Sequence, residues 1–346
     1  MDGPIRMGIV GLGRIGWHGH AGNIARMPDK FQLVAAADID EKKLKEAADR
    51  FGCKTYTKSS DLVADGSVEA VVIASPTHLH CSQTVEALRA GKAVLCDKPV
   101  AASLAELDEM IRASKETGNL FTVYQHMRFT AGFKKVQEVV RSGKLGRLTQ
   151  IRLAGNFFGR RWDWQTVKEF AGGRLNNDGS HVLDQVLQLV SSEEPHVAFC
   201  HLERTLALGD AEDQVKIIIK SPGDPLIDVE MLATCVPELD KWLITGTLGS
   251  LWGTERRLTW KYIDPHQFTP QQLERVAPAD RQFNRRDDEL PWQEETWEGS
   301  KAPHPGHSLY RGFYAALREG APPMVTLEGV RRVMTVMEKC RQLSPM

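Results

Sequence analysis

Short apolar runs alternate with amphipathic stretches over the first 124 residues. Five runs have the length of a strand, at residues 7–10, 31–37, 68–74, 93–96 and 120–124. The amphipathic stretches between them predict surface helices at residues 41–51, 79–90 and 104–117. Thr77 is expected to cap the second of these helices. Strands that alternate with helices at this spacing predict a parallel, doubly wound sheet with right-handed crossovers.

From about residue 125 the pattern changes to that of a mostly antiparallel sheet. After one helix, at residues 131–142, strand-like segments follow at about 147–155, 197–207, 213–220, 226–234, 242–246 and 250–262. The alternation of apolar and polar residues is clearest at residues 215–220. Such a sheet can pack helices on one face and leave the other open, so the open face is a candidate surface for self-association.

Two further helices are predicted to close the chain, at residues 307–318 and 327–343. The stretch before them, 264–305, is charged, poor in aliphatic residues and interrupted by prolines, which predicts an extended excursion and no third domain. The pattern as a whole predicts an α/β domain at residues 1–124 and an α+β domain at residues 125–346. The final helix is a candidate to pack back on the first domain.

A glycine-rich turn joins the first strand to the first helix. Gly11, Gly13 and Gly16 have the G-x-G-x-x-G spacing of a Rossmann turn, in which the backbone approaches a pyrophosphate at a helix N-terminus. The second strand ends in Asp38, where a carboxylate would bind the adenosine ribose hydroxyls and repel a 2′-phosphate. This arrangement predicts a dinucleotide cofactor and favours NAD, while the lysines at 42–43 leave NADP open.

Composition and charge narrow the class of protein. Of 346 residues, 42% are hydrophobic and 26% charged, and the formal net charge is −1, which is ordinary for a globular protein. Basic residues are spread along the chain, so neither a nucleic-acid surface nor a membrane surface is indicated. The apolar runs are too short to span a bilayer and no signal-like leader opens the chain, so we expect a cytoplasmic protein.

Six cysteines stand far apart without a C-x-x-C pair, so neither a disulfide framework nor a zinc site is indicated. Most are expected to be small core residues. Cys96, close to Lys98, is weighed as a thiol of lowered pKa, but core packing is favoured. A metal site built from His181 and Asp184 is disfavoured, since no other ligand cluster has suitable spacing, and no metal is expected.

One later segment, 172–190, predicts a helix with a polar stripe. At 100° per residue, Asn177, His181, Asp184 and Gln188 share one face and apolar side chains the other. Composition alone favours solvent over a ligand as the partner of that stripe. His181 is nonetheless the natural group to accept a proton from an alcohol, with Asp184 one turn on to orient the imidazole.

The fourth predicted strand leads directly into Asp97, Lys98 and Pro99. This position lies at the sheet edge where a nicotinamide would arrive, and the Lys98 ammonium would donate a hydrogen bond to the reacting oxygen. Asp97 would bind a cofactor ribose or pair with Lys98. Pro99 fixes the turn that follows.

The chain resembles the glucose-fructose oxidoreductase, inositol dehydrogenase and MocA family, Gfo/Idh/MocA, over nearly its whole length. The motifs that carry the resemblance are Gly11-Leu12-Gly13-Arg14-Ile15-Gly16, Asp38, Ser75-Pro76-Thr77 with His80, Asp97-Lys98-Pro99 in place of the usual Glu-Lys-Pro, and Gly179-Ser180-His181-Val182-Leu183-Asp184. Together these motifs are specific for the family and not for a substrate.

The resemblance implies that Lys98 is the catalytic lysine and that His181 is the base. It places cofactor contacts at Gly11, Gly13, Arg14, Ile15, Gly16, Asp38, Ser75, Pro76, Thr77, His80, Asp97 and Lys98. Asn177 departs from the pattern, because inositol dehydrogenase-like members have an Asp four residues before the histidine. An amide can bind a sugar hydroxyl but cannot relay a proton.

Polar groups near an indole face suit a polyol or sugar ring. The residues expected to contact such a substrate are Gln125, Arg128, Arg161, Asp163, Trp164, Asn176, Asn177 and His181. The implied activity is an NAD(P)-dependent dehydrogenase that acts on a secondary hydroxyl of a sugar, sugar derivative or cyclitol, in a homodimer or homotetramer formed through the open sheet. Two alternatives remain: a redox-neutral NAD-dependent glycosidase or epimerase, and a non-catalytic dinucleotide- or sugar-binding regulator.

Overall fold

Two sheets organise the chain, one parallel and one mostly antiparallel. The structure is a computed structural model that describes residues 3–237, 239–268, 273, 275–276, 290–299 and 304–346. None of its described helices is both long enough and apolar enough to cross a bilayer.

The first sheet has six parallel strands in the order β3-β2-β1-β4-β5-β6. These strands are β1 Ile5–Val10, β2 Phe31–Ala37, β3 Lys54–Tyr56, β4 Ala70–Ile73, β5 Ala93–Cys96 and β6 Phe121–Val123. The strand order reverses between β1 and β4, which opens a crevice beyond their carboxyl ends. The predicted doubly wound sheet is confirmed, and the ends of β1, β4 and β5 meet at this crevice.

Helices cover both faces of this sheet, as the pattern predicted. They are α1 Gly22–Ala25, α2 Glu41–Phe51, α3 Ser59–Ala64, α4 His80–Arg89 and α5 Leu104–Thr117. Asp40 and Ser103 cap α2 and α5, whose lengths match the prediction. The predicted cap at Thr77 is wrong: residues Thr77–Leu79 form a 3₁₀ turn, and no side chain caps α4. Sequence patterns missed β3 and α3 because both are very short.

The second sheet has eight strands in the order β14-β13-β12-β11-β7-β10-β9-β8. These strands are β7 Leu148–Ala154, β8 Val197–Glu203, β9 Gln214–Ile219, β10 Leu226–Leu232, β11 Trp242–Gly246, β12 Gly249–Gly253, β13 Arg257–Tyr262 and β14 Gln293–Glu298. All neighbours are antiparallel except β7 and β10. The mostly antiparallel sheet is therefore confirmed.

Three strand predictions for the second sheet need correction. The single strand at 250–262 is a hairpin of β12 and β13, which turns where the backbone N–H of Thr254 donates to the Arg257 carbonyl. The strand at 197–207 ends at Glu203, because Asp213 accepts hydrogen bonds from the backbone at residues 205–207. β14 lies within the predicted excursion at 264–305, of which residues 269–272, 274, 277–289 and 300–303 are outside the described part.

Four helices belong to the second half of the chain. They are α6 Ala131–Arg141, α7 Ser180–Leu187, α8 Gly306–Arg318 and α9 Leu327–Leu343. α6, α7 and α9 contact strands of the sheet, while α9 also contacts α5 and β6 of the first domain. The Arg331 side chain of α9 binds Asp108 of α5, and Arg332 donates to the Leu187 carbonyl at the end of α7. α9 thus contacts helices of both halves of the chain.

Five of the six cysteines are buried, and all six are free. Cys96 is fully buried in β5, and burial followed by the nearby Asp97 carboxylate raises the pKa of its thiol well above the ordinary value. The expectation of core packing is confirmed for Cys96.

Candidate active site

The glycine turn after β1 is built by contacts that leave no room for side chains. Gly11 has a φ of +94°, and a Cβ there would lie 2.6 Å from the Ala74 carbonyl oxygen. A Cβ on Gly16 would lie 2.0 Å from the Gly11 carbonyl oxygen, so the next helix packs directly on the turn. A Cβ on Gly13 would meet nothing within 4 Å. Gly13 therefore faces open space, where a phosphate group can approach bare backbone.

The helix that follows the turn begins with a π-helical segment, Ile15–Ala21, and continues as α1. Its first turn carries no acidic side chain, so no carboxylate competes with an anion for the free N–H groups there. π-Helical turns inside helices occur frequently at functional sites. The geometry of the turn fits a dinucleotide pyrophosphate.

Asp38 ends β2 beside this turn. Its carboxylate accepts hydrogen bonds from the backbone N–H of Leu12, at 2.7 Å, and of Asp40, at 3.0 Å. These bonds fix the carboxylate next to the glycine turn and leave acceptor positions for ribose hydroxyls. Lys43 lies 3.6 Å from the same carboxylate, while Lys42 contributes its backbone N–H to the α2 cap.

A cleft of about 730 Å³ runs from the glycine turn to the second domain. Eleven of the twelve residues predicted to hold the cofactor line this cleft, and the twelfth, Gly16, lies behind the turn. Three predicted substrate contacts, Arg161, Asp163 and Trp164, line its far end together with Gln165. The structure therefore brings most of the predicted site residues to one surface.

His80 lines the cleft and links two of the turns that form it. Its two ring nitrogens lie 2.9 Å from the Pro99 carbonyl oxygen and 2.8 Å from the Ser75 carbonyl oxygen. The ring is buried, and burial lowers the pKa of His80. Its contacts tie the turn after β4 to the turn after β5, so Ser75 and Lys98 are held at a fixed separation.

Asp97 and Lys98 follow β5, and their side chains have different surroundings. Asp97 is 5% exposed, and burial raises its carboxyl pKa to about 6, against the opposing effect of the neighbouring Lys98 charge and backbone N–H. The Lys98 ammonium instead crosses to the second domain and donates a 3.0 Å hydrogen bond to the backbone carbonyl of Asn177. That carbonyl holds the ammonium one helical turn before His181.

His181 lies at the start of α7, beside the Lys98 ammonium. Burial, then the positive charge of Lys98, then His126 and Lys241, hold the pKa of this imidazole well below its usual 6.5. The ring is therefore neutral at pH 7 and able to accept a proton. Its Nδ1 lies 3.0 Å from Oε1 of Gln125, and the His126 ring packs edge-on against it with centroids 4.9 Å apart.

The predicted role of Asp184 as the partner of His181 is wrong. Its carboxylate accepts two 2.6 Å hydrogen bonds from the Arg128 guanidinium, and the two side chains are 2% and 10% exposed. Arg128 therefore faces Asp184 in the interior and not the cleft. Gln125 takes the place at the imidazole that the sequence assigned to Asp184.

Composition favoured solvent as the partner of the polar stripe, but most of the stripe does not face solvent. Asn177 and Asp184 are buried and His181 is partly buried, whereas Gln188 is exposed. The segment Leu175–Gly179 is π-helical and only then does α7 begin, so the regular 100° spacing fails across it. The stripe instead contacts the turns after β5 and β6.

Asn176 and Asn177 turn to different neighbours. The Asn176 amide donates to the Ala171 carbonyl, and its oxygen accepts from Arg341 of α9, so this buried side chain is bound to structural partners. The Asn177 amide donates to the Gln165 carbonyl. Asn177 also lines a second cavity of about 170 Å³, together with Arg161, Gln165 and Arg174.

Arg161, Asp163 and Trp164 belong to one loop of the second domain. The Arg161 guanidinium binds the Asp163 carboxylate, which also caps the short 3₁₀ turn Trp164–Thr166. Trp164 is 43% exposed at the mouth of the cleft. This loop supplies a charged pair and an indole face opposite the glycine turn.

Sequence reasoning missed one residue that lines the cleft and two that surround the candidate base. They are Gln165, His126 and Lys241, which come from the Trp164 loop, the turn after β6 and the approach to β11. His126 lies between two residues that were singled out, so its position after a buried strand was an available signal. No local pattern marks Lys241. Among the described residues, no three His, Cys, Asp or Glu side chains group as a metal site requires.

Comparison with known proteins places both halves of the chain. Residues 5–125 match the profile described as an oxidoreductase family with an NAD-binding Rossmann fold, and residues 133–252 match the GFO/IDH/MocA C-terminal domain. An oxidoreductase of Schizosaccharomyces pombe, named as uncharacterized, is 30% identical over 71% of this chain and 69% of its own length. A myo-inositol 2-dehydrogenase of Thermotoga maritima is 35% identical over 43% of this chain and 44% of its own length.

The same architecture occurs in a solved structure with a bound nicotinamide cofactor. The WlbA dehydrogenase of Bordetella pertussis, in complex with NADH and UDP-GlcNAcA, aligns over 99% of this chain and 96% of its own, with a TM-score of 0.79 and 22% identity. At that identity the likeness shows the fold.

Proposed function

This chain belongs to the Gfo/Idh/MocA family of NAD-binding oxidoreductases, and on that premise we propose that it oxidises a secondary hydroxyl group of a sugar, sugar derivative or cyclitol, or catalyses the reverse reaction. The observation that carries the proposal is the hydrogen bond from Lys98 to the Asn177 carbonyl, which joins an ammonium from the first domain to the helix of His181. NAD, held by the glycine turn and Asp38, supplies the hydride acceptor when bound.

Each of the two side chains has a defined task. Lys98 donates a hydrogen bond to the substrate oxygen and stabilises negative charge as it develops there. His181 accepts the hydroxyl proton, and its depressed pKa keeps it unprotonated at neutral pH. The Asn177 side chain cannot take part in proton transfer, because an amide is not a base.

The second domain offers groups suited to a polyol. The Arg161–Asp163 pair and the Trp164 indole at the cleft provide planar hydrogen-bonding groups and an apolar face for a ring. The names of the relatives support this class of substrate: one is a myo-inositol dehydrogenase, and another was solved with a nucleotide sugar.

The test is a screen of sugars and cyclitols with NAD and with NADP, followed by the absorbance of the reduced nicotinamide. On the substrate found, we expect Lys98→Met and His181→Ala each to lower kcat/KM by about 10²-fold or more. Lys339→Met, an exposed position on α9, should leave it unchanged.

Near-normal turnover by either variant at the site would contradict the assigned roles. Product analysis accompanies the absorbance assay. Conversion of substrate without net reduction of NAD would identify the redox-neutral epimerase or glycosidase in place of the dehydrogenase.

We also propose a homodimer or homotetramer that forms through the open face of the second sheet, in the cytoplasm. The register aligns Trp252, Leu243, Arg152, Asp228 and Ile218 across five strands on that face. Apolar side chains flank a charged centre there, which suits a self-complementary contact. Six free cysteines are consistent with a reducing compartment.

A further inference from the structure

The side chain of Gln125 lies between the candidate base and the backbone of the helix that carries it. Gln125 follows β6 directly and is 3% exposed. Its Nε2 lies 3.3 Å from the Ser180 carbonyl oxygen, and its Oε1 lies 3.0 Å from Nδ1 of His181. A carbonyl oxygen only accepts hydrogen bonds, so the amide nitrogen must face Ser180 and the amide oxygen must face the imidazole.

This orientation decides which nitrogen of the imidazole carries hydrogen. Since the amide oxygen only accepts, Nδ1 of His181 must donate to it. A neutral imidazole has one N–H, so Nε2 is left with its lone pair. Among the described residues, Nε2 of His181 makes no hydrogen bond.

No carboxylate described in the structure contacts the His181 ring, so none accepts the hydrogen bond from its Nδ1. The charged or titratable groups that face His181 are Lys98 after β5, His126 after β6 and Lys241 before β11. Asp184, on the same helix, is bound on both oxygens by Arg128. The amide of Gln125 is thus the group that orients the imidazole.

We propose that Gln125 is a positioning residue that fixes neutral His181 as the Nδ1–H tautomer, so that Nε2 accepts the proton of the substrate hydroxyl. The inference rests on the proposed function. In the oxidation the substrate O–H bond breaks and an Nε2–H bond forms, while the C–H pair leaves as hydride to NAD⁺. The imidazolium then releases the proton from Nε2 to solvent.

A neutral amide differs from a carboxylate in a way that can be measured. Both accept a hydrogen bond from Nδ1–H, but a carboxylate also stabilises the imidazolium. Gln125→Glu should therefore keep the tautomer and raise the titration midpoint of His181 by roughly one to three pH units. Gln125→Leu removes the acceptor and should release the tautomer.

The experiment is ¹H–¹⁵N correlation NMR of the full-length protein labelled with ¹⁵N-histidine, with the His181 signal assigned by its loss in His181→Gln. We expect the Nδ1–H pattern in the wild type and in Gln125→Glu, and a shift toward Nε2–H in Gln125→Leu. The matched control is Gln185→Leu. Gln185 is also a buried glutamine, it lies on α7, and its amide donates to the Met127 carbonyl. This control should leave the tautomer of His181 unchanged.

Kinetics on an identified substrate give a second readout. We expect Gln125→Leu to lower kcat by about tenfold or more with KM little changed, because a wrong tautomer removes the base and not the binding groups. Gln125→Glu should restore kcat and move the acidic limb of the pH profile upward with the NMR midpoint.

An Nε2–H tautomer in the wild type would overturn the proposal, as would an unchanged tautomer in Gln125→Leu. If Gln125→Leu does not fold, the midpoint of Gln125→Glu decides, since a value equal to that of the wild type also contradicts the proposal. The NMR readout needs no substrate. Failure of the substrate screen with the expected tautomers would therefore refute the proposed function alone.

Discussion

At the scale of single residues, burial sets the charge of the candidate site. Asp97 and Lys98 are neighbours in the chain, yet the Asp97 carboxylate is buried and the Lys98 ammonium reaches the second domain. The enclosed carboxyl acquires a raised pKa and the neighbouring His181 a depressed one. Groups with such displaced pKa values cluster at functional sites.

Asp97→Asn should stabilise the protein at alkaline pH and not at acidic pH. The Asp97 pKa is about 6 in the folded protein, against about 4 in an unfolded chain. The folded state therefore keeps a proton that the unfolded state loses between about pH 4 and 6, so stability falls as pH rises through that window. Asparagine removes this cost.

Urea unfolding of the wild type and Asp97→Asn measures the effect at both ends of the window. The free energy of unfolding should rise by roughly 2 kcal/mol at about pH 8 and change little at about pH 4. Titrations of other groups are common to both proteins. An equal difference at the two pH values would show that the Asp97 carboxyl is not the cause.

At the scale of elements, the glycine turn and the buried ion pair fix the two sides of the cleft. The turn sets the first helix directly on β1, because Gly11 and Gly16 admit no side chain. On the other side, the Arg128–Asp184 pair links the 3₁₀ segment His126–Phe129 to α7. That link holds Gln125 and His181 within hydrogen-bond distance.

The three glycines of the turn should differ in their response to alanine. Gly16→Ala places a Cβ against the Gly11 carbonyl and should lower the free energy of unfolding by about 2 kcal/mol or more. Gly13→Ala meets open space and should change stability by less than about 0.5 kcal/mol. Its Cβ would instead occupy the approach of the pyrophosphate and weaken NAD binding by about tenfold or more.

Thermal unfolding and calorimetric titration with NAD separate the two effects. The prediction fails if Gly13→Ala binds NAD as tightly as the wild type. It fails equally if Gly16→Ala unfolds at the wild-type temperature.

Removal of one partner of the buried pair should cost much more than removal of both. Asp184→Ala leaves the Arg128 guanidinium buried without its carboxylate and should lower the free energy of unfolding by about 3–5 kcal/mol. The double variant Arg128→Met, Asp184→Leu should lower it by less. Asp108→Ala is the matched control, because the Arg331–Asp108 pair is about half exposed and such pairs contribute about 0–1 kcal/mol.

Urea unfolding of the four proteins gives the comparison. A double variant less stable than Asp184→Ala would contradict the expected desolvation cost. A control as damaged as Asp184→Ala would show that burial is not what distinguishes the two pairs.

At the scale of the whole molecule, α9 connects the two domains, and the open face of the second sheet is the proposed surface for self-association. α9 binds Asp108 of the first domain and the end of α7 in the second, so it couples the two sides of the cleft. The second sheet uses one face for the helices of the core. Its other face aligns Trp252 with Leu243 and Phe199 with Ile218 across neighbouring strands.

Trp252→Glu should break the proposed oligomer. A carboxylate on this face would be desolvated in a contact between copies but stays hydrated in the monomer, so the change opposes association without a large effect on folding. Light scattering after size exclusion should give the mass of one chain, against two or four for the wild type. Leu343→Glu, at an exposed site on α9, should keep the wild-type mass, and an unchanged mass in Trp252→Glu would contradict the proposed interface.

The sequence by itself determined the features that depend on near neighbours. The period of apolar residues defined α2, α5, β5 and β11, and glycine and acid spacing located the candidate cofactor turn. These features follow from local sterics, amphipathicity and capping, which act over a few residues. The same local reasoning, joined to the family resemblance, placed Lys98 and His181 at one site.

Only the tertiary structure decided which side chains face each other. Asp184 binds Arg128, Asn176 binds Arg341, and Gln125 binds His181, each across more than fifty residues of sequence. A helical pattern gives the face on which a side chain lies but not the charge that packing brings against it. Burial and distant partners therefore enclosed most of a predicted solvent stripe, and replaced the expected carboxylate at the base with an amide.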